Sequence, residues 1–241
     1  MTADRWTRAV RQVLEPGRPL PLGGPRDGAW VTEAAADAVL RRAAAGVPGV
    51  RLGGVRIAPA DPRDVPEPVV PAPPGAVPPG PLRLSADFAA GAGEPLPTAA
   101  ERLRRALSAA ASGRLGLAVA AVDLRVTELL VTERPAGAPA EPESVRPPGP
   151  HSAVARTDPD GARAVAAALA VPGVTRVTGL LSREVHVGTA LPRRHVRVEV
   201  ALAGGGRAAD VARAVRTAVG AALDGHPTVA VLVTGVGVGV G

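Results

Sequence analysis

Val47-Pro48-Gly49-Val50 is written a second time as Val171-Pro172-Gly173-Val174, and both copies sit at the same point of a similar local pattern. An Ala-rich helical stretch precedes each one. Short strands, a second amphipathic helix and a Val-rich strand follow each one. Internal repetition decides architecture before any motif does. The expectation is therefore an α+β fold of two tandem pseudo-repeated α-β-β-(β)-α-β units, each a small mixed sheet with helices on one face.

Around the first copy, Thr32 can cap a helix to about Ala45, with Ala36, Val39, Leu40 and Ala43 on its apolar side. RLGGVRI reads as a strand. Residues 58–81 then hold 10 prolines in 24 positions, a composition that predicts an extended, solvated loop. PLRLSADFA alternates, with Leu82, Leu84, Ala86 and Phe88 inward. Thr98 with Glu101 has the spacing of a capping box. The helix it opens runs to about Ala111, and VAAVDLRVTELLV closes the unit.

The second copy starts at Asp158-Pro159, an N-cap followed by proline at the first helical position. Strands are expected near 174–181 and 184–190. HVRVEVALA follows, with Val196, Val198, Val200 and Leu202 inward and His195, Arg197 and Glu199 outward. After Gly204-Gly205-Gly206 comes an amphipathic helix, and TVAVLVTGV ends the unit. That last strand is apolar on both faces, so it should be central in its sheet or covered by something else. The resulting division is an N-terminal helix (about 3–14) and linker over 1–27, a first repeat over 28–133, a proline-rich linker over 134–157 and a second repeat over 158–241.

Composition narrows the function. The 241 residues include no Cys, so disulfides, thiolate chemistry and Cys-based metal sites are excluded together. All 28 basic residues are Arg, and Lys, Asn and Tyr are absent. This is the codon usage of a GC-rich genome of the actinobacterial kind. The sequence pI near 11.3 follows from arginine rather than from a strong field, because the net charge is only +6. That charge is scattered, which argues against nucleic acid. The longest apolar run, at 229–241, is too short and too Gly-rich for a spanning helix, so a cytoplasmic chain without a transmembrane segment is expected.

No catalytic constellation stands out. Gly204-Gly205-Gly206 lacks the residues of a phosphate loop and reads as a turn. His151, His186, His195 and His226 show no ligand spacing. Ser152 and Ser182 lack a nucleophile-elbow context. Asp123 and Glu128, with Arg125 between them, look like ordinary outward residues. Two features invite a partner instead. Arg193, Arg194, His195 and Arg197 form the densest basic patch, suited to an anionic partner such as RNA, acidic protein or lipid head groups. Val229, Val231, Leu232, Val233 and Val236 form an apolar row that could serve as an interface.

The order helix, VPGV, strands, alternating strand, Gly turn, amphipathic helix and V-x-V-x-V strand resembles the alkaline shock protein / general stress protein family of bacterial envelope-stress proteins. VPGVTRV, HVRVEVALAGGGRAADVARAVRTAVGAAL and TVAVLVTGV carry the resemblance in the second half. VPGVRLGGVRI, LRLSADFA and VDLRVTEL carry it more loosely in the first. The chain also resembles actinobacterial proteins labelled nucleopolyhedrovirus p-ten family. The stress-family resemblance implies a non-enzymatic protein without cofactors. It would associate with itself or with related stress-family proteins, in the cytoplasm or gathered at the membrane through a small anchoring partner. An Arg-mediated binder of an anionic partner, and an enzyme or small-ligand protein using a cleft between the repeats, remain alternatives.

Overall fold

A computed structural model of the chain describes residues 17–63, 66–130, 159–178, 185–188 and 194–237, the backbone alone for 185–188. The helix expected at 3–14, the linker at 134–157 and the cap at Asp158 lie outside the described residues.

In chain order the elements are β1 (Pro19–Pro21), β2 (Ala29–Thr32), α1 (Glu33–Ala45), β3 (Val50–Pro59), β4 (Leu82–Gly91), α2 (Leu96–Ala109) with a π-helical continuation (Ala110–Leu115), and β5 (Val119–Leu130). The second half adds α3 (Pro159–Leu169), β6 (Val174–Val177), β7 (Val185–Gly188), β8 (His195–Leu202), α4 (Ala208–Ala222) and β9 (Thr228–Val236).

The repeated motif forms the same joint twice. Gly49 and Gly173 both have positive φ, 70° and 94°, a conformation that glycine enters without a Cβ penalty. The Val47 and Val171 amides donate back to the preceding helix, to the Ala44 and Ala168 carbonyls at 2.9 and 3.2 Å. The Gly49 and Gly173 carbonyls accept from Gly91 and Ala203, each at 2.8 Å, which ties each turn to the end of the alternating strand. From there both halves follow one plan. β3 pairs antiparallel with β4, and β4 pairs parallel with β5. β6 and β7 pair antiparallel with β8, and β8 pairs parallel with β9. A helix joins each parallel pair, the usual crossover between parallel strands. The α+β fold with small mixed sheets is as expected.

The inward faces also correspond. Leu84, Ala86 and Phe88 are buried on β4, as are Val196, Val198 and Val200 on β8. One continuous apolar core runs through both repeats and includes Val39 and Leu40 of α1, Leu107 of α2 and Val215 of α4. α1 contacts both sheets, touching β3 and β9. Among the described residues, apolar side chains of this core pass from one repeat to the other.

Three expectations need correction. First, residues 17–27, expected as linker, carry β1, which pairs antiparallel with β2. β2 in turn pairs parallel with β9, so the start of the first repeat completes the sheet of the second. The order is β1-β2-β9-β8-β6, with β7 also on β8, beside a separate β3-β4-β5 sheet.

Second, the proline-rich insertion is extended but not solvated. Val70, Pro73, Val77 and Pro79 are buried, and Val70 packs with Trp30, Ala230 and Leu232 in a second apolar cluster. The Val69 and Val77 amides donate to the Pro25 and Pro19 carbonyls at 3.0 and 2.8 Å. The helices cover one face of the doubly apolar β9, and this strap covers the other. Prolines suit such a strap because it lies on a sheet face and needs few backbone donors.

Third, Thr98 caps nothing. α2 begins at Leu96 after Pro95, with no side-chain cap bond. Pro95 and Pro97 preset helical φ and move the start upstream of Thr98. Glu101 pairs instead with Arg104 at 2.8 Å. The cap expected at Thr32 is present, its hydroxyl accepting from the Ala35 amide at 3.3 Å.

Candidate functional site

The basic patch read from sequence is dispersed in the fold. Arg193 lies outside the described residues. Arg194 is hydrogen-bonded to Asp160 in the first turn of α3, and Arg163 shares that carboxylate. These two guanidiniums, Arg163 first, hold the Asp160 carboxyl below its ordinary range. His195 sits with Nδ1 2.8 Å from the Thr228 hydroxyl. The Arg197 side chain is only 16% exposed and lies 3.8 Å from Glu199, which is wholly buried. Glu199 was expected to face solvent. Alternation assigned it to the outer face correctly, but that face is covered. The described arginines of the patch are engaged within the chain.

The apolar row is also used internally. Val229, Val231, Leu232 and Val233 are buried, and Val236 is half-buried against the core. β9 is flanked by β8 and β2, so this row is not available to a partner while the chain is folded. Gly204-Gly205-Gly206 forms a turn before α4, whose N-cap position is Arg207. The Arg207 Nε donates to the Ser112 carbonyl at 3.1 Å. His226 borders a shallow depression with Arg213 and Arg216. There Arg213 is bound to Asp210 and Asp27, and Arg216 donates to the Arg26 carbonyl at 2.6 Å. Among the described residues, no group of three or more His, Asp or Glu could hold a metal ion.

What the fold leaves open is the outer surface of the β3-β4-β5 sheet. Alternation sends Arg83 and Asp87 of β4, and Asp123 and Arg125 of β5, to the side away from the helices. Register places Ser85 opposite Asp123 and Asp87 opposite Arg125. Arg125 reaches Asp87 with two parallel N–H···O bonds of 2.8 and 3.2 Å. Arg83 meets Asp123 at 2.8 Å, and Arg51 of β3 meets Glu128 at 2.6 Å. The Arg125 hydrogen bond lowers the Asp87 carboxyl below its ordinary range, and reciprocally Arg125 is raised. Solvent screens exposed pairs of this kind, so the ladder matters more for what the face can meet than for holding the fold.

The sheet also ends openly. Among the described residues, no strand pairs with the far side of β5. The Val122 carbonyl points to that side and accepts from the Arg104 Nε at 3.3 Å. Val126 and Leu129 are 37% and 56% exposed. β9 is the counterpart of β5, and its corresponding edge is filled by β2. Sequence reading treated Asp123, Arg125 and Glu128 as ordinary outward residues. The signal that could have singled them out was their alternation of charge with the Arg83 and Asp87 of the neighbouring strand.

No family model matches the chain, and no curated protein or solved structure is significantly similar to it.

Proposed function

We propose that this chain is a non-enzymatic interaction protein, related to the envelope-stress family that it resembles, and that it acts by pairing with itself or with a related chain. The observation that supports this reading is the inequality of the two repeats. The second has its closing strand flanked on both sides and covered on both faces. Among the described residues the first keeps an open strand edge, with Val126 and Leu129 exposed on that strand, and a charged outer face. An open edge of this length is a template for another strand.

No described helix is long and apolar enough to cross a membrane. On this reading the protein works in the cytoplasm and reaches the membrane surface through an anchoring partner. Light scattering over a concentration series tests it. The mass should rise from one chain to at least two as concentration increases. A constant single-chain mass, together with failure to retain related proteins from the same cells, would sink the proposal.

A further inference from the structure

The edge of β5 is also self-complementary, and this specifies how two copies would meet. We propose that β5 pairs antiparallel with β5 of a second copy about a two-fold axis at Leu124, joining two three-stranded sheets into one of six strands. This rests on the reading that the chain pairs with itself, and it names the surface.

Backbone direction comes first. The Val122 carbonyl faces the free edge, and along a strand alternate residues turn their polar groups to the same side. Val122, Leu124 and Val126 therefore present donors and acceptors outward. Leu124 facing its symmetry mate gives a hydrogen-bonded pair, and Val122 facing the second copy's Val126 gives another on each side, using the second lone pair of a carbonyl that already accepts from the Arg104 Nε. The ladder between β4 and β5 is regular from Arg83–Ala121 to Phe88–Val126, so the pairing segment lies between its two irregularities.

Charge then selects the register. With the axis at Leu124, Asp123 lies opposite the second copy's Arg125, twice by symmetry. An axis at Arg125 would oppose two arginines, and one at Asp123 two aspartates, both destabilising. Axes at Val122 or Val126 leave both charges facing uncharged residues. Only the Leu124 register extends the existing Arg83–Asp123 and Arg125–Asp87 pairs into a continuous alternation across the junction.

The absence of cysteine from the chain gives a clean test. In this register residues 123 and 125 form a non-hydrogen-bonded pair with Cα atoms about 4.5 Å apart, within disulfide range. Two residues 123 would lie about 7–8 Å apart, too far to bridge. Asp123→Cys and Arg125→Cys, both at exposed positions, are purified as full-length chains, mixed and oxidised. The mixture should give at least tenfold more disulfide-linked dimer than either variant alone. Val126→Pro removes one outward amide and should abolish association while leaving the far-UV circular dichroism of the single chain unchanged.

Equal cross-linking in the mixture and in each variant alone, with wild-type chains that still associate by light scattering, would overturn the β5 pairing and leave self-association standing. A single-chain mass with β5 edge amides protected from exchange would show the edge occupied by the chain's own residues 1–16 or 131–158, and would also overturn it. A single-chain mass with those amides exchanging freely would remove both readings.

Discussion

Gly116 lies against the start of α4. Its φ is 92°, and a Cβ placed there would lie 2.4 Å from the Ala209 Cβ at the start of α4. Gly116→Ala should therefore cost more than the roughly 1 kcal/mol typical where only the backbone is incompatible. Gly75→Ala is the control, because its φ of 71° is similar but nothing lies within 4 Å. Urea unfolding of both variants should show the larger loss at Gly116. The charged ladder makes a second prediction. Asp87 is depressed by its Arg125 hydrogen bond, so the stability it contributes is present above the unfolded carboxylate pKa of about 3.9. It is lost as pH falls through the lower folded value. Asp87→Asn should lower the urea midpoint at pH 7 and flatten its fall below about pH 4. Parallel curves for wild type and variant would show that the pair contributes nothing.

At the scale of elements, β9 and β5 are the same strand of the repeat under two different fates. β9 is apolar on both faces because the strap lies on one and the helices on the other. Val70 is 1% exposed against Trp30, Ala230 and Leu232. Val70→Asp would bury an unpaired carboxylate there and should cost about 2 kcal/mol or more. In a Trp6→Phe background Trp30 is the only indole, and its emission should shift to the red as the strap lifts. An unshifted spectrum with unchanged stability would contradict the assignment of 66–81 as a cover. Much of this was legible in local pattern. The VPGV joints, the Thr32 cap and the alternation of β4 and β8 each rest on neighbours a few residues apart. The doubly apolar Val229–Leu232–Val233 run even announced that it needed cover. The cover itself was not legible, because proline content reads as solvated and Val70 of the strap meets residues about 160 positions away. Glu199 was misread for the same reason, since periodicity assigns a face and cannot say whether that face is wet.

At the scale of the molecule, duplication has been used asymmetrically. The second repeat takes its last strand neighbour and its outer cover from the first, and one core serves both. Among the described residues the first repeat is left with the open edge, where the proposed pairing would form. The equivalence of β5 and β9 supplies an internal standard. Amide exchange of the full-length chain, followed residue by residue at low and high concentration, tests the claim most directly. The β9 amides should be protected at both concentrations. The Val122, Leu124 and Val126 amides should exchange freely when dilute and become at least tenfold slower when concentrated. β5 amides that exchange at one rate across the whole concentration range would contradict the account.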